Sequence, residues 1–260
     1  MDLGLKGKRA LVLSSSRGLG RGVAESLAAE GADVVLTARC ADRLAATVAA
    51  INGKGAGRAY AVAGDLTRDV AAIHKAAKDH LGDIDILVAN TPGPPARTAL
   101  NAKPEEWLPQ FEALVIPVIQ MAGWVLPGMR ERGFGRIITI SSTSVVQPIP
   151  NLVISTALRS SIVGWSKTLA TEVAQDGVTV NIVMPGRIHT DRTGELDVAN
   201  AKQQNKTVEE ITKAMLASIP ANRYGRVEEF ADVVCFLASQ RASFVTGSLI
   251  RVDGGAVKGI

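Results

Sequence analysis

The sequence predicts an α/β domain: a doubly wound, seven-stranded parallel sheet with helices on both faces. Three observations predict it. Short aliphatic or β-branched runs alternate with longer helix-patterned stretches along the whole chain. Those short runs are apolar at nearly every position, as strands buried on both faces are. The tripeptide Gly18-Leu19-Gly20 stands between the first such run and the first helical pattern. Right-handed crossovers between parallel strands then give a Rossmann-like sheet.

The elements follow in order. Strands are expected over 9–14, 33–38, 58–63, 84–89, 136–141, 178–184 and 248–252. Helices are expected over 18–30, 41–52, 68–81, 104–132, 152–175, 207–218 and 227–239. One stretch breaks the alternation: residues 187–206 are polar and lack clear periodicity, and they follow the strand that ends in Met184-Pro185-Gly186. A long polar excursion at the carboxyl end of a sheet suits a lid or substrate loop. Thr207, with Glu210 three residues on, starts the next helix as a capping box, so the lid is drawn around 187–218.

Composition sets the remaining bounds. A chain of 260 residues is near the upper size of one hydrophobic core, so a single domain over 1–260 is expected. Hydrophobic residues make up 47% and aromatics only 4%, which leaves the packing to alanine and the aliphatics. The net charge of +4 is scattered, without the basic stripe of a nucleic-acid binder. Cys40 and Cys235 lie far apart and form no metal or redox spacing. The start, Met1-Asp2-Leu3-Gly4-Leu5-Lys6, lacks an apolar signal core. No stretch reads as the roughly 18 apolar residues a membrane span needs, so a cytoplasmic protein without membrane contact is expected.

The turn Ser14-Ser15-Ser16-Arg17-Gly18-Leu19-Gly20 is the first candidate site. Gly18 and Gly20 let the backbone approach a pyrophosphate, and the amides at the start of the following helix attract it. The second strand ends in Ala38-Arg39 with no carboxylate to hold a ribose 2′-hydroxyl. Arg39 can instead fork onto a 2′-phosphate, with Arg17 nearby in the turn. NADP is therefore the expected cofactor.

From here the chain resembles the short-chain dehydrogenase/reductase family, and within it is most similar to the 3-oxoacyl-carrier-protein reductase group. The family turn reads Thr-Gly-x-x-x-Gly-x-Gly; Leu13 and Ser14 replace its first two residues. Asp85-Ile86-Leu87-Val88-Ala89-Asn90 resembles the fourth strand, with the Asn-Asn-Ala-Gly ending reduced to Ala89-Asn90-Thr91-Pro92. Gly135-Arg136-Ile137-Ile138-Thr139-Ile140-Ser141-Ser142 resembles the fifth strand with its catalytic serine. Val180-Asn181 with Pro185-Gly186 resembles the sixth, and Thr246-Gly247 with Val252-Asp253-Gly254-Gly255 the last. The resemblance implies further cofactor contacts: Ser14, Ser16, Arg17, Gly18, Leu19 and Gly20 in the turn, and Asn90 after the fourth strand. It also implies Asp65 and Leu66 at the adenine, and Pro185, Gly186, Ile188 and Thr190 at the nicotinamide. Family members pair their long helices between subunits. Val115, Ile119, Ile162 and Trp165, on the helices over 104–132 and 152–175, lie beyond one core face, so a homotetramer is expected.

The catalytic positions depart from the family. Its members protonate the reduced carbonyl oxygen with a tyrosine whose pKa a lysine lowers, beside a serine, with an asparagine holding a water. Ser142 fits the serine. Thirteen residues later stands Ser155 in place of tyrosine, and four further on Arg159 in place of lysine. The asparagine position, seven after Trp107, is Leu114. Neither tyrosine substitutes, since Tyr60 belongs to the third strand and Tyr224 to the turn before Gly225. A serine is a poor acid, and a guanidinium stays charged and does not shuttle protons. It can still stabilise an alkoxide. Ser142, Ser155 and Arg159 are the candidate catalytic set, with the proton from water or from a group such as His189. Two readings remain open. One is an NADP(H)-dependent oxidoreductase acting on a small carbonyl or alcohol substrate, with a 3-oxoacyl thioester as a candidate. The other is a catalytically impaired nucleotide-binding partner or regulatory subunit.

Overall fold

The computed structural model describes residues 1–259. Its sheet has seven parallel strands: β1 Arg9–Val12, β2 Asp33–Ala38, β3 Ala59–Ala63, β4 Ile86–Ala89, β5 Gly135–Ile140, β6 Val178–Pro185 and β7 Leu249–Val252. They lie in the order β3-β2-β1-β4-β5-β6-β7. The winding direction reverses between β1 and β4, and the crevice at such a switch point is where ligands of this architecture bind.

Nine helices cover the sheet: α1 Gly18–Ala29, α2 Ala41–Asn52, α3 Val70–Leu81, α4 Trp107–Leu114, α5 Ile116–Glu131, α6 Val153–Val173, α7 Asp191–Gln204, α8 Val208–Ala217 and α9 Val227–Ala238 among the described residues. Alternate residues of each strand face opposite layers. Ala10 and Val12 meet Val23 and Leu27 of α1, Leu44 of α2 and Phe230 of α9. Leu11 and Leu13 face the other way, toward Ile73 of α3, Met121 of α5 and Ala170 of α6. Each such buried Val, Leu, Ile, Met or Phe side chain contributes about 1.5–3 kcal/mol.

Several expectations are corrected. The helix expected over 104–132 is divided into a short 3-10 turn, Pro104–Glu106, then α4 and α5. Pro117 in the first turn of α5 has no amide to carry the ladder backwards, so the chain steps at Val115. Residues 104–131 do have the length and apolar character of a membrane span, contrary to the reading from sequence. In this fold, however, α5 lies against α3, β4 and β5. Another correction concerns the excursion 187–206. It contains a regular helix, α7, capped by Thr190, whose Oγ accepts from the Thr193 amide at 3.3 Å. Its buried residues are Thr193, Asp197 and Ala201, one every four positions. Two of the three are polar, so no apolar period marks the helix. The expected capping box at Thr207 is present, and α8 starts there.

Val115 and Ile162 are also reassigned. They are 2% and 1% exposed and pack with Leu114, Val118, Ile154 and Leu158 in a core of their own chain. Ile119 and Trp165 lie against the same cluster.

The amino-terminal ends of the central strands β1 and β4 are tied by charge. Asp85 is 6% exposed at the start of β4. It accepts from Arg9 Nε at 2.8 Å and Nη2 at 2.7 Å, and from Arg132 Nε at 3.1 Å. Arg132 also pairs with Asp83. Burial alone would raise the Asp85 carboxyl, but hydrogen bonds and charge from Arg9, with Arg132, outweigh it and leave it below its ordinary value. A carboxyl depressed in the folded state stabilises the fold above its unfolded pKa, and that stability is lost as pH falls through the folded value. Urea denaturation should therefore show wild-type stability falling below about pH 4, with a shallower acid limb in Asp85→Asn. At pH 7, Asp85→Ala should cost about 1–3 kcal/mol, because it removes the acceptor shared by the part-buried guanidinium groups of Arg9 and Arg132.

Candidate active site

The candidate residues converge where the strands end. After Val12 the chain turns at Ser14, whose φ is 47°, a left-handed conformation that favours glycine. Two contacts hold it there. The Ser14 amide donates to Thr37 Oγ1 at 3.1 Å, and its carbonyl accepts from Asn90 Nδ2 at 3.0 Å. Ser15, which the sequence reading did not single out, is fully buried; its Oγ donates to Val12 O at 2.7 Å and accepts from the Thr37 amide at 3.0 Å. The Ser16 carbonyl accepts from Thr47 Oγ1 at 3.3 Å. These bonds stitch the ends of β1, β2 and β4 to the start of α1.

The turn has the form of a phosphate cradle. Gly18, with φ 56°, begins α1. A Cβ on Gly20 would lie 2.7 Å from the Ser14 carbonyl oxygen, 2.8 Å from Asn90 Nδ2 and 3.0 Å from Ser15 Cα. Only glycine fits that position. Leu19 anchors the helix start against the core of α1 and α9. The residues therefore fit a pyrophosphate on the amides opening α1. Asn90 acts through its tie to Ser14 O, which fixes the cradle.

Arg39 is exposed just past β2. Arg17 is half-exposed, and its Nη1 lies 3.4 Å from Glu195 and 4.0 Å from Asp191, both on α7. Asp65 follows β3. Its Oδ1 accepts from the Thr67 amide at 2.9 Å and from Thr67 Oγ1 at 2.8 Å, which hold the carboxyl below its usual value, with Arg39 and Arg68 adding charge. Leu66 is buried against α3.

On the far side of the crevice, Pro185 ends β6 and the Gly186 amide donates to Val252 O at 2.9 Å. Ile188 is 4% exposed and forms a parallel bridge with Gly225. Its carbonyl accepts from Thr193 Oγ1 at 2.5 Å, and Thr190 Oγ1 lies 3.1 Å from that same hydroxyl. His189 is exposed, and its amide donates to Gly225 O at 2.8 Å.

Ser142 is half-buried just past β5, with its Oγ accepting from the Ser144 amide at 3.1 Å. Ser155 and Arg159 lie one turn apart on α6, 8% and 7% exposed. The Arg159 guanidinium donates from Nη1 to Ile140 O at 3.1 Å and from Nη2 to Thr91 O at 3.2 Å. Burial lowers its pKa to about 10, so it is cationic at neutral pH. No carboxylate pairs with it among the described residues. It bridges the end of β5 to the segment after β4. Leu114, at the position expected to hold a water, is fully buried beside Ala89 and Leu158.

Comparisons with known proteins give the family of the chain. Residues 13–257 match the sequence profile of the family described as Enoyl-(Acyl carrier protein) reductase. The chain belongs to the short-chain dehydrogenase/reductase family. Among its relatives is the 3-oxoacyl-(acyl-carrier-protein) reductase FabG of Haemophilus influenzae, 35% identical over 251 residues, covering 96% of this chain and 98% of that protein. The L-sorbose reductase of Gluconobacter frateurii, solved with NADPH and L-sorbose, superimposes with a TM-score of 0.94 at 35% identity, with full coverage of both chains. YwfH, an NADPH-dependent reductase involved in bacilysin biosynthesis, superimposes with a TM-score of 0.93 at 28% identity, over 98% of this chain and all of that one.

Within this short-chain dehydrogenase/reductase scaffold Ser14 stores strain. A left-handed non-glycine residue costs about 1–2 kcal/mol, partly offset by the larger unfolded-state entropy of glycine. Ser14→Gly should raise stability by about 0.5–1 kcal/mol in urea denaturation. A destabilised Ser14→Gly would show that the serine hydroxyl holds the turn.

Proposed function

We propose that the protein is an NADP(H)-dependent oxidoreductase that reduces a small carbonyl compound, or oxidises the corresponding alcohol, with an altered catalytic set. The observation that carries this is the cradle at the start of α1, where Gly20 has no room for a Cβ. Arg39 and Arg17 support the 2′-phosphate form, because β2 ends without a carboxylate. The relatives that act with NADPH favour the same cofactor. A 3-oxoacyl thioester is a candidate substrate by likeness to the FabG proteins. Cytoplasmic location, a lid over 187–218 and a homotetramer complete the reading. Exposed Phe244 and Leu249, at the β7 edge of the sheet, offer apolar surface for subunit contact.

Held by the α1 cradle and by Ile188 and Thr190, a reduced nicotinamide cofactor would supply hydride chemistry at this site. The chain's own groups handle the charge that develops on oxygen. Ser142 and Ser155 orient the carbonyl through their hydroxyls. Arg159 contributes a fixed positive charge rather than a proton, since a guanidinium does not release one at neutral pH. The proton comes from water or from His189. A second reading has a specific observation in its favour: both Nη atoms of Arg159 are engaged by backbone carbonyls. On that reading the residue is a structural cation, and the protein binds nucleotide as a partner or regulatory subunit without turnover.

Calorimetry should give tighter binding of NADPH than NADH, by about 1.5–3 kcal/mol for a charged fork on the 2′-phosphate. Arg39→Asp should weaken NADPH selectively; an equal loss for both cofactors would indicate misfolding. Turnover of NADPH with ketones and 3-oxoacyl thioesters separates the two readings. Binding without turnover on any of them favours the partner. Ser155→Tyr combined with Arg159→Lys should raise or create reductase activity, provided Leu114 leaves a water path.

A further inference from the structure

Between the turn after β6 and the segment before α9 lies a buried carboxylate that the catalytic reading does not use. Asp197 of α7 is 3% exposed. Its two oxygens take different donors: Arg187 Nη1 reaches Oδ1 at 2.7 Å, and the Tyr224 hydroxyl reaches Oδ2 at 2.8 Å. The donors come from the two segments that form the parallel bridge Ile188–Gly225. In that bridge the Gly225 amide donates to Arg187 O at 2.9 Å, and the His189 amide donates to Gly225 O at 2.8 Å. Arg187 and Tyr224 each precede a bridged residue, and their side chains converge on one carboxylate. Arg187 Nη2 also lies 3.3 Å from Met215 Sδ, which brings α8 into the same contact.

We propose that Asp197 is a positioning residue for the nicotinamide half of the cofactor site. It fixes α7 onto the bridge that presents Ile188 and Thr190, and this inference rests on the cofactor reading above. Removal of a buried charged partner leaves the other charge uncompensated. Without Asp197, Arg187 would be left without its anion, and α7 would lose the contact that joins it to the Gly225 segment. Thr193, one turn before Asp197 on the same helix face, holds the Ile188 carbonyl and meets the Thr190 hydroxyl. Displacement of α7 therefore displaces both expected nicotinamide contacts. The adenosine end, at Arg39, Asp65 and the backbone of the α1 cradle, is held by bonds outside α7, and only the exposed Arg17 side chain reaches that helix, at Glu195 and Asp191.

Two ligands separate the halves of the site. In Asp197→Asn, which is near-isosteric, the NADPH dissociation constant should rise about tenfold, while that of adenosine 2′,5′-bisphosphate stays within about twofold. Tyr224→Phe keeps the ion pair and removes one donor, so it should show a smaller loss of about threefold for NADPH alone. Hydrogen exchange without ligand should show faster exchange at the α7 amides in Asp197→Asn and unchanged protection in the central strands. Equal weakening of both ligands, or of neither, would overturn the proposal, as would unchanged protection of α7. Wild-type protein that binds neither ligand would instead remove the cofactor reading, and the nicotinamide role of Asp197 with it.

Discussion

The candidate site depends on how tightly the chain turns from β1 into α1 beside the end of β4. The Ser14 carbonyl, the Asn90 amide and the Gly20 backbone share a space too small for one more carbon atom. That closeness directs the first amides of α1 into the crevice where the winding of the sheet reverses. Ser14 meets the constraint at a strained φ, which the Thr37 and Asn90 contacts hold in place.

Across the crevice stands a fixed, buried cation rather than a group that titrates near neutrality. Arg159 is buried and cationic, and it joins the end of β5 to the segment after β4 through two carbonyls. A guanidinium in that place fixes geometry and field, and has no proton to give at neutral pH. Leu114 is fully buried in the apolar cluster formed with Ala89, Val118 and Leu158. The two sides of the crevice thus differ in kind: backbone amides at the start of α1 on one, a buried guanidinium on the other.

The polar network over α7 gives the second half of the crevice its shape. Asp197 joins Arg187 and Tyr224 across the Ile188–Gly225 bridge, so α7 is docked by buried charge and hydrogen bonds rather than by an apolar stripe. Burial and the bond to Asp197 push the Tyr224 phenol above its usual pKa, which keeps it a donor at neutral pH.

The sequence by itself determined the sheet, the strand and helix order, the glycine turn, the capping box at Thr207 and the replaced residues Ser155, Arg159 and Leu114. Those features leave local traces: apolar runs, periodic faces, and motifs at fixed spacing. Only the tertiary structure decided that 191–204 is helical, that Val115 and Ile162 face their own core, and what Arg159 touches. The reason is physical. The partners of Asp197 lie 10 and 27 residues away, and those of Arg159 lie 19 and 68 away. Pairings between polar groups at such separations leave no period along the chain. They exist only once the parallel sheet has brought the carboxyl ends of its strands together.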